Sequence, residues 1–238
     1  MAGPPAIAAE PGAGSPAFFD AVVSISPGIG REVDVLLDHV AADGRLTQLS
    51  VRLQYPVLPW LQVALEAPAL LREPADGAPT AGAGDLLLSA QAAAWAPRDW
   101  PAEVDLGLEL TLPTGADRVL AGSTAVRPFV AAGVAFGPID VLANASYQWL
   151  AAGPGAGTDL LQTTAAVGYR TRWMVPFVEV TLLKPVRGVR DLRPQVALVP
   201  GIEVLLPWNL SLSVGVQLPL GPQRLFDRRV LGFLKWPF

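Results

Sequence analysis

The stretch 102–114 reads AEVDLGLELTLPT, and apolar and polar residues alternate along it. Alanine, valine or leucine occupies every second position up to residue 112, while Glu103, Asp105 and Glu109 lie between them. Successive side chains of a β-strand point to opposite faces. The stretch therefore predicts a strand with one apolar face and one face that carries carboxylates.

The same two-residue period recurs along most of the chain. From residue 31 to residue 238, about twelve segments of roughly 9 to 13 residues alternate in this way and are separated by turn residues. Strands at such regular spacing are typical of an all-β sandwich or barrel. The sequence thus predicts one β-domain over 31–238 and a separate N-terminal extension over 1–30.

The composition distinguishes a soluble sheet from a membrane-embedded one. Hydrophobic residues make up 51% of the chain and charged residues only 16%, which leaves little polar surface for an ordinary soluble domain. The polar faces carry mostly Gln, Ser, Thr and Asn, whereas a soluble sandwich would need abundant Lys and Glu. A lipocalin-type soluble barrel turns its apolar face inward and usually has eight strands. No run approaches the roughly 18 to 20 apolar residues of a membrane-spanning helix.

These observations predict a transmembrane antiparallel up-and-down β-barrel of about 12 strands, integral to the outer membrane of a Gram-negative bacterium, with its apolar face toward the lipid bilayer. With both termini in the periplasm, the even-numbered connections, such as PVLP, GP and TRW, are short. The odd-numbered connections, such as REPADGAPTAGA and PTGADRVLAGST, are longer. Outer-membrane barrels have short periplasmic turns and longer extracellular loops, so the connection lengths favour the same fold.

Aromatic residues mark two further features of a membrane barrel. Tryptophan prefers the membrane interface, where its ring is half buried and its N–H stays hydrated. The tryptophans predicted to form an interface girdle at the periplasmic ends of the strands are Trp60, Trp95, Trp100, Trp173, Trp208 and Trp236. The last strand carries Trp236 on its outer face and ends at Phe238, which resembles the terminal-strand signal recognised by the outer-membrane assembly machinery.

If the apolar faces contact lipid, the polar faces line the lumen. The predicted lumen-lining residues are Glu32, Asp34, Asp38, Arg52, Glu66, Glu103, Asp105, Glu109, Arg127, Asp140, Arg170, Arg172, Glu179, Glu203, Arg229 and Lys235. Opposite charges in this narrow space should pair, because burying an unpaired charge is costly. Two interpretations stay open: a selective pore lining, and a salt-bridged, hydrogen-bonded plug that fills the interior. The neighbouring carboxylates Glu103 and Asp105 could also bind a cation or act as acid and base, although pairing inside the lumen is the simpler expectation.

Three stretches carry a family resemblance. They are GAGDLLLSAQAAAW (82–95), LGLELTLPTG (106–115) and RPFVAAGVAFGPIDVLANASYQW (127–149), and their sharpest marks are Gly-Asp at 84–85 and Pro-Thr-Gly at 113–115. In these stretches the chain resembles the bacterial outer-membrane family named for the meta-pathway of phenol degradation. The resemblance covers 31–238 and implies a barrel transporter for small, often aromatic or hydrophobic compounds. It assigns no substrate-contacting residues.

Two functional hypotheses follow. The first is a porin-like outer-membrane channel or transporter for passive passage of small solutes, including hydrophobic or aromatic ones. The second is a structural barrel with a largely filled lumen that anchors or sheathes partner proteins in the outer membrane. The charged faces alone do not decide between these hypotheses.

The N-terminal extension is the least patterned part of the chain. Ser15 could cap a short helix that begins at Pro16, and the alternative is a disordered Pro/Gly/Ala-rich tail. The extension could enter the lumen from the periplasmic end or dock a partner protein. Its first residues lack the basic and apolar regions of a secretory signal, which departs from the resembled family. Two alternatives stay open: the secretory signal has been replaced by a start Met, or the protein is not exported.

Other chemistries find little support in the sequence. The chain has no cysteine, which excludes disulfides, thiolate metal sites and cysteine nucleophiles. The net charge is −4 and no Lys/Arg cluster suggests a nucleic-acid surface. The one histidine, His39, is predicted to point toward lipid near the extracellular rim, and no serine in a nucleophile-elbow context accompanies it. We therefore expect no enzymatic activity, no metal and no cofactor.

Overall fold

The structure is a computed structural model, and it describes residues 18, 21–23, 25–42, 44–97, 100–116, 122–153, 157, 159–187, 194–221, 224 and 226–238. Within this part of the chain, the strands form one antiparallel sheet. Their bounds are β1 Glu32–Ala42, β2 Gly44–Leu58, β3 Leu61–Pro74, β4 Thr80–Ala83, β5 Leu86–Trp95, β6 Ala102–Leu112, β7 Thr124–Phe136, β8 Ile139–Ala152, β9 Asp159–Tyr169, β10 Met174–Arg187, β11 Gln195–Leu205, β12 Ser211–Leu220 and β13 Arg228–Pro237.

The sheet closes on itself. The last strand pairs with the first, in a register that runs from Glu32 opposite Pro237 to Ala41 opposite Arg228. The short β4 and the longer β5 pair with different parts of β3, so together they fill one position in the wall. The described strands therefore occupy the 12 positions of a closed antiparallel barrel, which confirms the predicted fold class.

The connections differ in length between the two ends of the barrel. At one end, here called the turn end, they span residues 59–60, 96–101, 137–138, 170–173 and 206–210. At the opposite end, here called the loop end, they span residue 43 alone and then 75–79, 113–123, 153–158, 188–194 and 221–227. Apart from residue 43, the loop-end connections are at least as long as most turn-end ones, as the sequence predicts.

The two faces of the wall differ in polarity. On β6, Leu106 and Leu108 are 55% and 42% exposed, whereas Asp105 and Glu109 are 0% and 6% exposed. The same alternation of burial recurs along the neighbouring strands. Apolar side chains therefore cover the outside and polar side chains line the inside, which is the arrangement that a bilayer requires of a barrel.

The aromatic residues concentrate at the turn end. Those in or beside the turns are Trp60, Trp95, Trp100, Trp173, Trp208 and Trp236, and each of them is exposed. Trp149 lies near the loop end, on β8. The backbone N–H of Phe238 donates to the carbonyl of Arg31 at 3.1 Å, which ties the final residue to the start of β1.

No helix in the described residues has both the length and the hydrophobicity to cross a membrane.

Candidate functional site in the lumen

Ion pairs join neighbouring strands along the inner wall. Arg52 on β2 donates to Glu66 Oε2 on β3 through Nε at 2.9 Å and through Nη2 at 2.6 Å. The other inner-wall pairs are Arg127–Glu109, Arg170–Asp140, Arg229–Asp38 and Lys235–Glu32. Each pair lies along the wall between adjacent strands, so its charges are satisfied without a side chain crossing the lumen.

Inward-facing carboxylates outnumber inward-facing cations among the described residues of the strands and of the turn that begins at Arg170. The carboxylates are Glu32, Asp34, Asp38, Glu66, Glu103, Asp105, Glu109, Asp140, Glu179 and Glu203. The cations are Arg52, Arg72, Arg127, Arg170, Arg229 and Lys235. An excess of one charge in a passage with low-dielectric walls attracts counter-ions and repels ions of the same sign. Among the described residues, the inner wall therefore carries more carboxyl groups than cationic groups.

Two of the residues considered in the sequence lie away from the lumen wall. The sequence predicts Arg172 in the lumen, but the structure places it in the exposed turn between β9 and β10. Its guanidinium carbon lies 4.7 Å from the centroid of the Trp173 ring. His39 lies on the outer face of β1, because it alternates with the inward residues of that strand. Its Nδ1 forms a 2.8 Å hydrogen bond with Thr47 Oγ1 on β2. Arg172 therefore belongs to the rim at the turn end.

The N-terminal segment, meaning the described residues between 18 and 30, lies inside the barrel. The backbone N–H of Val22 donates to Glu179 Oε1 on β10 at 2.7 Å. The N–H of Gly28 donates to Asp105 Oδ2 on β6 at 2.9 Å. The N–H of Gly30 donates to Gln62 Oε1 on β3 at 3.0 Å. The segment thus contacts three different parts of the inner wall.

Glutamine side chains support this segment on the side formed by β2, β3, β5 and β6. Gln91 Nε2 donates to Asp105 Oδ2 at 2.6 Å and to the carbonyl of Gly28 at 3.3 Å. Gln62 Nε2 donates to Gln54 Oε1 at 3.1 Å. Because an amide side chain both donates and accepts, each glutamine can link one wall residue to the next or to the segment.

Two inward-facing glycines leave space for the N-terminal segment. A Cβ on Gly133 of β7 would lie 2.9 Å from Phe18 Cζ and 2.9 Å from Pro27 Cγ. A Cβ on Gly215 of β12 would lie 2.7 Å from Val22 Cγ2. Any larger residue at these positions would push against the segment, so the inner surface is shaped to hold it.

An apolar cluster lines the part of the lumen formed by β8, β9 and β10. It consists of the buried residues Ala21, Leu142, Ala166, Val175 and Phe177, with Phe18 and Val22 packed against them. The N-terminal segment supplies three of these side chains and the wall supplies the others. The inner surface therefore has a carboxylate-rich region and an apolar region at different positions around the barrel.

Two phenylalanines lie flat along the wall. Phe129 of β7 faces Gly107 of β6, and Phe177 of β10 faces Gly201 of β11. A Cβ on either glycine would overlap the facing ring. Because glycine has no side chain, each phenylalanine ring can lie over the glycine of the neighbouring strand instead of extending into the lumen.

The carboxylates Glu103 and Asp105 share the inner face of β6. They are 8% and 0% exposed, and Asp105 accepts hydrogen bonds from Gly28 and Gln91. In the described part of the chain, no group of three or more histidine or carboxylate side chains could hold a metal ion. The role that the structure shows for Asp105 is to anchor the N-terminal segment.

The charge pattern of the sequence does not single out Gln54, Gln62 and Gln91. These residues lie on the polar faces of β2, β3 and β5, which are neighbours in the wall, and Gln62 lies directly opposite Gln91. Gly133 and Gly215 also fall at inward positions of otherwise regular strands. Aligned glutamines and inward glycines were the available sequence signals for a lumen that holds a segment.

Comparisons with known proteins give similarity at the level of the fold. No protein-family model matches the chain, and no curated protein matches its sequence. An outer membrane channel from Pseudomonas putida F1 has a TM-score of 0.71 at 14% identity, over 93% of this chain and 100% of that one.

Two porins are similar as well. The NanC porin has a TM-score of 0.64 at 10% identity, over 87% of this chain and 100% of that one. The KdgM porin in complex with disordered oligogalacturonate has a TM-score of 0.58 at 10% identity, over 87% of this chain and 99% of that one. The chain therefore has the fold of integral outer-membrane β-barrel proteins, whereas membership of the meta-pathway family stays a prediction.

Proposed function

We propose that this protein is a porin-like outer-membrane channel for passive passage of small solutes. The observation that carries the proposal is the inner wall: ion pairs lie along the strands, and carboxylates outnumber cations. The cationic members of these pairs keep 24–36% of their side-chain surface exposed, so this wall stays accessible to solvent, as a water-filled passage requires. The similarity to solved channels and porins supports the same class of function.

The apolar cluster supports small hydrophobic or aromatic compounds as solutes. Leu142, Ala166 and Val175 provide an apolar surface on the wall, and Phe18 of the N-terminal segment covers it. A solute with an apolar body would contact this surface when the segment moves aside. The resemblance to the meta-pathway family implies solutes of this kind.

The excess of carboxylates favours cationic or neutral solutes over anionic ones. Oligogalacturonate, which the KdgM porin has been solved with, is a chain of sugar carboxylates. A lumen lined by more carboxyl groups than cationic groups would disfavour such a polyanion. We therefore propose that this channel differs from KdgM in the charge of its solutes.

Conductance of the full chain in a planar bilayer tests the proposal. We expect discrete current steps and, under a KCl gradient, a reversal potential with the sign of cation preference. Glu109→Gln removes the negative partner of Arg127 from the inner wall and should shift the reversal potential toward zero, whereas Asp76→Asn, in an exposed loop, should not. A protein that folds and inserts but gives no current steps would overturn the channel.

A second candidate is a structural barrel that anchors or sheathes a partner protein. The observation that favours it is the N-terminal segment, which occupies part of the lumen and is bonded to three strands. A permanently filled lumen would give no current steps in the native chain, and substitutions of Glu179 or Asp105 would change stability alone. The same bilayer recordings therefore separate the two candidates.

A further inference from the structure

Two arginines face outward at the loop end, where the first and last strands of the barrel meet. Arg45 of β2 lies directly opposite Ala41 of β1, and Ala41 lies directly opposite Arg228 of β13. Ala41 is three positions from the inward-facing Asp38, so this row of residues is on the outer face. Both arginines are exposed, and alanine, which projects only a methyl group, lies between them. We refer to Arg45 and Arg228 as the outer arginine pair.

Neither arginine of the outer pair is neutralised by a close carboxylate in the described part of the chain. Arg45 Nη1 lies 3.9 Å from Glu73 Oε2, which is longer than a hydrogen bond, and the Arg45 side chain is 67% exposed. Arg228 forms no ion pair with the described residues. Its neighbour Arg229, by contrast, faces the lumen and donates to the two carboxylate oxygens of Asp38 at 2.7 and 2.6 Å. The pair therefore presents two positive charges on the outer face.

His39 adds a ring nitrogen beside the outer arginine pair. It lies on the outer face of β1, one outward position from Ala41 toward the middle of the strand. Its hydrogen bond with Thr47 Oγ1 uses Nδ1 and leaves Nε2 as the second donor or acceptor of the ring. The imidazole can therefore donate a further hydrogen bond to an anion held by the arginines.

The outer arginine pair lies at the level of the lipid headgroups. Arg45 and Tyr55 are both on the outer face of β2 and are ten residues apart. At about 3.3 Å per residue and a tilt of about 40°, this stretch rises about 25 Å along the barrel axis, which is the height of the apolar band of an outer-membrane barrel. The outward positions between them carry no charge and are Thr47, Leu49, Val51 and Leu53. Arg45 therefore lies at one edge of the band, and Tyr55 lies at the other edge, where tyrosine is enriched.

We infer that the outer arginine pair binds the phosphate group of an anionic lipid in the leaflet at the loop end, with His39 as a further donor. The inference goes beyond the proposed channel function, because it concerns the outer face and holds whether the lumen is open or filled. Neighbouring strands lie about 4.8 Å apart, so the backbones of Arg45 and Arg228 are about 10 Å apart across β1 and their long side chains can converge above Ala41. A guanidinium donates two parallel hydrogen bonds to phosphate oxygens, and basic sites at a membrane surface bind lipid headgroups.

Native mass spectrometry of the detergent-solubilised full chain measures this binding directly. The two probes are lipid A, a glycolipid that carries phosphate groups, and lipid A from which the phosphates have been removed. They share the sugars and the acyl chains, so a difference in affinity reports on phosphate alone. We expect the native chain to bind the phosphorylated probe about tenfold more tightly, as one charge-assisted hydrogen bond would give.

Variants of the outer arginine pair test the assignment. Arg45→Gln/Arg228→Gln should abolish the preference for the phosphorylated probe. The matched control is Arg31→Gln/Arg172→Gln, which removes the same charge from two arginines at the turn end that lie over the rings of neighbouring aromatic residues, and it should keep the preference. Glu73→Gln removes the carboxylate nearest to Arg45 and should tighten the binding of lipid A, a gain that misfolding cannot produce.

Equal affinity of the native chain for the two probes would overturn the site, and this comparison does not depend on how well any variant folds. An equal loss in the Arg31→Gln/Arg172→Gln control would also overturn it, because the preference would then follow the net charge of the protein. Displacement of lipid A by an equal concentration of inorganic phosphate would overturn the lipid as the occupant. Failure of the channel would be seen separately, as absence of current steps in the bilayer, and would leave these affinities unchanged.

Discussion

Glu179 on β10 accepts the backbone N–H of Val22 at 2.7 Å, although the two residues are 157 positions apart in the sequence. Asp105 on β6 accepts the N–H of Gly28 at 2.9 Å in the same manner. Both carboxylates are 0% exposed. Hydrogen bonds to a charged acceptor are roughly twice as strong as those between neutral groups. The N-terminal segment is therefore held at two places on the wall, and the free width of the lumen depends on both.

Removing the first of these anchors should open the lumen. Glu179→Ala deletes the acceptor for Val22, and each hydrogen bond to a charged group is worth about 1.5–3 kcal/mol. We expect Glu179→Ala to raise the single-channel conductance or the open fraction, and Glu179→Gln, which keeps a neutral acceptor, to have a smaller effect. Bilayer recordings of the full chain measure both quantities.

The matched control for this experiment is Glu66→Gln. This change removes the same amount of lumen charge, but Glu66 pairs with Arg52 and does not contact the described part of the N-terminal segment. If Glu66→Gln raised conductance as much as Glu179→Ala, the effect would come from charge rather than from release of the segment.

The alternation of residues predicts the wall of the barrel but not the segment inside it. A strand with leucine on one face and carboxylates on the other, such as β6, has one arrangement that suits a bilayer, and local sequence suffices to recognise it. The contact between Val22 and Glu179 depends on the closure of the whole barrel, and no local pattern encodes it. For this reason, the sequence alone does not decide whether the lumen of the barrel is open or filled.

Gly107 should be essential for the position of Phe129. In Gly107→Ala the new methyl group overlaps the ring, so Phe129 must turn toward the lumen. We expect a loss of about 1–3 kcal/mol in the free energy of unfolding, the usual range for overpacking, together with a lower conductance. Urea-induced unfolding in lipid vesicles measures the first quantity.

Gly232→Ala provides the comparison for this prediction. A Cβ on Gly232 would lie 3.5 Å from the nearest atom, which is ordinary contact, so the same substitution should change stability little. The double variant Gly107→Ala/Phe129→Ala should conduct at least as well as the native chain. A Gly107→Ala barrel with native stability would contradict the proposed overlap.

Asp85 should hold together the two described ends of the connection between β6 and β7, residues 113–116 and 122–123. Its carboxylate accepts the backbone N–H groups of Gly115 at 2.8 Å, Gly122 at 2.8 Å and Ser123 at 2.8 Å. We expect Asp85→Ala to lower the free energy of local opening by about 2–4 kcal/mol, because several charge-assisted hydrogen bonds are lost together. Hydrogen exchange of the three amides measures this change.

Asp76→Asn is the control for the loop, because Asp76 is exposed in the neighbouring connection between β3 and β4. Unchanged exchange in Asp85→Ala would show that other contacts protect these three amides. The same contacts explain why Gly-Asp at 84–85 and Pro-Thr-Gly at 113–115 stand out in the sequence: Leu86 N–H also donates to Thr114 Oγ1 at 2.9 Å. Sequence alone could identify both motifs but could not show that they meet.

The outer face of β6 provides the most direct test of membrane insertion. Leu106 is 55% exposed near the middle of the strand, and Trp208 is 83% exposed at the turn end. An arginine on the lipid face of a barrel costs about 2–4 kcal/mol at the bilayer midplane and about 0–1 near the interface. We therefore expect Leu106→Arg to destabilise the barrel in lipid vesicles by the larger amount and Trp208→Arg by the smaller one, as measured by urea unfolding. If both variants unfolded like the native chain, and the protein stayed monodisperse without detergent, the exposed leucines would not be facing hydrocarbon.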